Sequence, residues 1–254
     1  MTPALLPVHL GVVGLVIGSF LGLISVRLPQ GEGVVRGRSY CRACRRTLTW
    51  PDLVPVASYV LTRGRCRTCH AAISLKYPLV ELAAAGIGIS AALAGSTFAE
   101  IALTALLGWQ LLLIVVIDLE HGWLPKGLKI ALLLSGLLGA AFARETALTD
   151  WVLGGALGIG ASWGLAVCFR RFLDRERGGS GDPVLFAAIG VWTGWQGLPA
   201  VVLGACIIGI GYFASAAALA EKPFSDSRRI LLAPLLALST FAWWLWQLYA
   251  GLRP

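Results

Sequence analysis

The sequence predicts an all-α polytopic membrane protein of about eight transmembrane helices, with one small polar domain between the first two. Three observations carry this. Hydrophobic residues make up 57% of the 254-residue chain and charged residues 13%, where a soluble domain has about a quarter charged. The apolar residues gather into long uncharged runs. Lys and Arg fall almost entirely in alternate connections between those runs.

The runs can be justified in order. Residues 8–26 form the first. At about 1.5 Å per residue, such a run matches a hydrocarbon core of about 30 Å. No Lys or Arg precedes it and Arg27 follows it, so it is expected to be a retained span rather than a signal peptide. Further spans are expected over 82–99, 101–117, 127–143 and 151–169. The uncharged stretch 183–220 is too long for one helix. The Gly197-Leu198-Pro199 sequence is expected to split it into 184–197 and 200–219. The first half is short, and the count becomes seven if it is re-entrant. The last span is 230–250.

With eight spans, one side of the membrane receives segments 27–81, 118–129, 170–182 and 220–229. They hold every Lys and Arg except Arg144 and Arg253. The positive-inside rule makes that side cytoplasmic and places both termini outside. It also explains the net charge of +8. Basic residues beside spans point to anionic lipid headgroups rather than nucleic acid as partners. The expected organisation is a first transmembrane helix (1–29), a cytoplasmic cysteine-bearing domain (30–81) and a transmembrane region (82–254).

The cytoplasmic domain carries Cys41-x2-Cys44 and Cys66-x2-Cys69, separated by 21 residues. Four thiolates on two short knuckles suit tetrahedral Zn²⁺. Arg42, Arg45, Arg46, Arg65 and Arg67 surround them and are expected to lower the thiol pKa values. The segment has little apolar material for a core, so bound metal would supply folding energy. The alternatives are a redox dithiol pair, or cysteines left unliganded. His70 follows Cys69 and is expected to be a bystander. Four protein ligands leave no open position, so the site is structural. Cys168 and Cys206 lie alone in apolar runs and are read as small hydrophobes.

Chemistry must then lie elsewhere. Asp118 ends the third run in LLLIVVIDLEHGWLPKG, and Asp182 opens the sixth in RERGGSGDPVLFAAIG. Both fall where helix meets headgroup on the cytoplasmic side. They would meet if helices three and six pack together. Two carboxylates in contact cannot both ionise easily. One would activate water while the other protonates or hydrogen-bonds a scissile carbonyl. Gly178, Gly179 and Gly181 would let a substrate backbone approach. The structural alternatives stay open. Asp182 before Pro183 is also a good N-cap, and Asp118 would be cheap as a polar terminator at a span end.

Seven segments in order carry a resemblance: GSFLGLISVRLP, CRAC, LTWPDLVPVASYVLTRGRCRTC, ISLKYPLVEL, IDLEHGWLP, GSGDPVLFAAIGVWTGWQGLP and APLLALS. Through them the chain resembles the bacterial prepilin leader peptidase and N-methyltransferase family of type IV pilus and type II secretion systems. The resemblance implies an inner-membrane aspartic endopeptidase. It would remove a short basic leader from a prepilin or pseudopilin after a glycine, on the cytoplasmic face. It would then methylate the new N-terminal amine, using S-adenosylmethionine. The catalytic pair carries over to Asp118 and Asp182, and the cysteine domain to the methylating region.

The basic loops would repel a basic leader, so anionic lipid or the acids Glu81, Glu120 and Asp174 are expected to offset them. Glu81, beside the cysteine domain, is a candidate for the cofactor site or an interfacial cap. Departures from the family pattern are Gly22 for Asn, Val184 for a Lys after the Gly-Asp motif, Lys126 for an acid after Leu-Pro, and Ala233 for Gly. The alternatives are a peptidase without methyl transfer, and a membrane scaffold or transporter using the aspartates for protons or ions.

Overall fold

The computed structural model describes residues 5–33, 37–143, 148–172, 182–219 and 232–251. Its helices are α1 (Leu6–Arg27), α2 (Ala57–Leu61), α3 (Lys76–Ala94), α4 (Phe98–His121), α5 (Lys126–Ala143), α6 (Leu148–Phe172), α7 (Pro183–Leu219) and α8 (Leu232–Tyr249). Among the described residues, five stretches are long and apolar enough to cross a membrane: Leu6–Arg27, Lys76–Ala94, Phe98–His121, Thr149–Val167 and Pro183–Ser215. The protein is therefore an all-helical, multi-pass membrane protein with a cysteine-bearing domain between α1 and α3. The chain divides into two compact units, Met1–His121 and Gly122–Pro254.

In the first unit, α1 packs on α3 and α4. Its buried positions are mostly small: Gly11, Gly14, Gly18, Gly22 and Ser25. A Cβ on Gly14 would run into the Ala84 carbonyl, and one on Gly88 into the carbonyl of Leu10. Val8, Val12, Val16 and Phe20 meanwhile stay exposed. Small residues inside and large apolar ones outside are what lipid solvent selects, because backbones must approach closely to gain dispersion contacts. Trp109 Nε1 donates to the Ala84 carbonyl at 3.0 Å and ties α4 to α3.

The second span differs from the expected 82–99. Its helix begins at Lys76, six residues earlier, and ends at Ala94. Charge at Lys76 and Glu81 had marked those residues as loop. Both are compensated instead, by Glu120 and by the Val56 N–H. Gly95 takes an extended conformation and stops the helix. A Thr97–Glu100 box starts α4: Glu100 Oε2 accepts the Thr97 N–H at 3.1 Å, and Thr97 Oγ1 accepts the Glu100 N–H at 3.2 Å. That S/T-x-x-E signature was present in the sequence. It places Ala99 in the third span, not the second.

In the second unit, α6 and α7 pack so closely that a Cβ on Gly154 would strike the Gly190 carbonyl, and one on Gly190 the Gly154 carbonyl. Trp192 joins three helices: Nε1 donates to Leu132 O of α5 at 2.9 Å, and its ring meets Trp244 of α8 edge-on at 5.4 Å. The expected break at Gly197–Pro199 is corrected to Gly194. That residue has φ 69° and ψ 172°, while Pro199 lies inside the helix. Only glycine takes this conformation readily. Without a break, the 37 residues of α7 would span about 55 Å, well beyond the hydrocarbon core. The part after Gly194 runs antiparallel to α8: Gly197 lies by Trp243, Gly204 by Ser239 and Gly209 by Leu235. α6 extends past the expected 151–169 at both ends, and α8 ends at Tyr249.

Candidate metal centre and catalytic carboxylates

The four cysteines come together. Their sulfur atoms all lie within 4.8 Å of one another. Cys41 Sγ and Cys69 Sγ are 3.8 Å apart. A tetrahedron with metal–sulfur arms of about 2.3 Å has edges of about 3.8 Å, so the donor set fits Zn²⁺.

The two cysteine segments are one structural motif used twice, 25 residues apart. In the first, the Cys41 N–H donates to Arg46 O and the Arg45 N–H to Cys41 O, both at 2.8 Å. In the second, the Cys66 N–H donates to Ala71 O at 2.9 Å and the His70 N–H to Cys66 O at 3.0 Å. Bridges pair Tyr40 with Thr47 and Arg65 with Ala72. Arg45 (φ 58°) and His70 (φ 57°) occupy the same left-handed turn position. His70 therefore has a backbone task in its knuckle.

Backbone N–H groups, not arginines, act most on the thiols. Hydrogen bonds from the Cys69 and Thr68 N–H groups lead in lowering the Cys66 thiol to about 6. Those of Cys44 and Ala43 lead in lowering Cys41. An Ala71 N–H opposes, but desolvation and hydrogen bonds from the other three cysteines push the Cys69 thiol up to about 11. Sulfurs this close cannot all carry charge without a cation among them.

Asp52, which sequence reasoning missed, clamps the knuckles. Its Oδ2 accepts from Arg46 Nη2 at 2.8 Å, and its Oδ1 forms an ion pair with Arg67 Nε at 3.1 Å, one arginine from each knuckle. Burial would raise the Asp52 carboxyl, but hydrogen bonds from the Thr49 N–H and hydroxyl, with the Arg46 charge, hold it below the usual carboxylate value.

Glu81 is 7% exposed, and its Oε2 accepts the Val56 N–H at 2.7 Å. It anchors the cysteine domain to α3. Glu120 pairs with Lys76 at 2.7 Å. Each of these two acids thus already has a partner within the chain. Asp174 lies outside the described residues, as do Gly178, Gly179 and Gly181.

The two aspartates sit in different units. Asp118 lies in the last turn of α4, 8% exposed, with no hydrogen bond to its carboxylate among the described residues. Asp182 immediately precedes α7. Its Oδ1 accepts the N–H groups of Val184 at 3.2 Å and Leu185 at 3.4 Å, which makes it the N-cap. Its Oδ2 accepts from Lys129 Nζ of α5. The lysine was not foreseen, because nothing in the sequence pairs residues 53 apart.

Residues 12–94 match the Bacterial Peptidase A24 N-terminal domain, and residues 105–214 match the Type IV leader peptidase family. A "Prepilin leader peptidase/N-methyltransferase" of Aeromonas hydrophila is 33% identical, over 91% of this chain and 88% of its own. A "Type 4 prepilin-like proteins leader peptide-processing enzyme" of Escherichia coli O78:H11 (strain H10407 / ETEC) is 36% identical, over 83% of this chain and 85% of its own. A "Prepilin leader peptidase/N-methyltransferase" of Klebsiella pneumoniae is 34% identical, over 75% of this chain and 86% of its own. No solved structure matches the chain.

Proposed function

This chain belongs to the type IV leader peptidase family, and from that premise we propose that it is a prepilin leader peptidase and N-methyltransferase of the bacterial inner membrane. Its substrates are prepilins or pseudopilins. Cleavage takes place at the cytoplasmic face, the side that the basic connections mark.

Asp118 and Asp182 are the catalytic pair. One carboxylate takes a proton from water as its oxygen attacks the scissile carbonyl. The other supplies a proton as the C–N bond breaks. The products are a leader ending in a carboxylate and a pilin beginning with a free amine. A basic leader followed by an apolar helix would place its cut site at the cytoplasmic membrane interface. The observation that carries the reading is that both aspartates terminate membrane helices inside the segment matching the peptidase family.

Cys41, Cys44, Cys66 and Cys69 hold a structural zinc ion, which would stiffen the domain that handles the cut end. S-adenosylmethionine supplies the methyl group when bound. Among the described residues there is no strand–turn–helix for a nucleoside donor, so no residue is assigned to hold it.

The test uses full-length protein in detergent with a synthetic prepilin peptide and S-adenosylmethionine, read by mass spectrometry. Leader loss plus one methyl group is expected. Leader loss alone would leave a peptidase without methyl transfer. An unchanged peptide would favour the scaffold or transporter reading.

A further inference from the structure

The placement of Lys129 is unfavourable on its own. It lies in the first turn of α5, where a cation opposes the helix dipole. Its side chain is only 12% exposed, and a desolvated ammonium needs a partner. The partner is Asp182, across the α5–α7 packing.

We propose that Lys129 is a positioning residue that holds the Asp182 carboxylate at its working angle. A carboxylate has about four acceptor sites. Here the Val184 and Leu185 N–H groups engage Oδ1 and Lys129 engages Oδ2. Three donors from two helices stop the group rotating and leave one site for a water molecule or a substrate proton. The backbone donors alone would hold one oxygen and let the other swing. This rests on the reading of Asp182 as one of the catalytic pair.

The test compares full-length wild type, Lys129→Met, Lys129→Arg and Asp182→Asn in detergent. The probe is a synthetic peptide with a lysine-rich leader ending in Gly, then Phe and an apolar segment. Lys129→Met is expected to lower kcat by about tenfold to a hundredfold, the usual effect of a misplaced catalytic group. KM should change by less than about twofold, and Lys129→Arg should recover most of the loss. Methyl transfer to an already cleaved peptide should stay at the wild-type level, which separates misplacement from misfolding. If Lys129→Met loses both activities, Lys129→Gln replaces it in the same comparison with Lys129→Arg. Unchanged kcat, a loss confined to KM, or a loss that arginine does not recover would overturn the proposal. If Asp182→Asn cleaves like wild type, the catalytic-pair reading fails. If Asp182→Asn is inactive while Lys129→Met is not, only the role of Lys129 fails.

Discussion

The Val56 N–H donates to Glu81 Oε2 at 2.7 Å, and this bond joins the cysteine domain to a membrane helix. Val56 has φ 58° and ψ −49°, a positive-φ conformation that a β-branched residue rarely takes. The bond helps hold that residue in place. Glu81→Ala should leave a part-buried N–H without its partner and cost about 1 kcal/mol. The expected result is faster tryptic cutting after Arg63 and Arg65, with methyl transfer falling more than leader removal. Wild-type protease resistance would remove the anchor role.

The metal centre predicts one zinc ion per chain. Cys41→Ser should lower the zinc ratio measured by metal analysis, since ligand loss weakens a folding-coupled site. Chelation should expose the domain to protease while the membrane helices stay folded. A metal-free chain with a protease-resistant domain would contradict this.

Asp52 gives the cysteine domain an acid-side dependence. Its carboxyl lies below the usual value when folded. The stabilisation is therefore fully present above the unfolded value of about 3.9 and fades as pH falls through the lower folded value. Asp52→Asn should remove that slope. It should also weaken the domain at neutral pH by about 1–3 kcal/mol, because Arg46 loses its charge-assisted hydrogen bond and Arg67 its ion pair. Protease sensitivity measured against pH, in wild type and variant, checks both parts.

Asp118→Asn and Asp182→Asn should each nearly abolish leader removal, and the double variant should be no worse than either. Asn keeps the size and still caps a helix, but it cannot serve as the base. Both variants should insert normally. An Asp182→Asn protein that cleaves at the wild-type rate would leave Asp182 as only the cap of α7.

Gly194→Ala should destabilise the second unit by about 1–3 kcal/mol, because a Cβ is strained at φ 69° and ψ 172°. Pro199→Ala should cost less, since the chain does not break there. Thermal unfolding in detergent compares the two. Equal effects would return the break to the Gly197–Pro199 region.

Much of this protein was legible in the sequence because its signals are local. Uncharged runs reveal membrane helices, since an unpaired backbone or charge in lipid is expensive wherever it occurs. The Cys-x2-Cys pairs reveal a candidate metal site, since a knuckle can place two sulfurs on one ion within four residues. The Asp182-Pro183 cap is equally local, and the structure contains it. Span ends were less legible, because Lys76 and Glu81 looked like loop residues until their partners were known.

Tertiary structure decided the rest. Asp52 became a clamp because the fold brings Arg46 and Arg67 to its two oxygens. The turn fell at Gly194 rather than at the more conspicuous Gly-Leu-Pro because Trp192, Gly190 and Gly197 each pack against a different neighbour around it. Lys129 met Asp182 because α5 packs on α7. Sequence spacing reports what one helix or one turn does to itself. Which charge neutralises which across helices depends on packing, where small interhelical differences in contact and desolvation energy select one pairing among many.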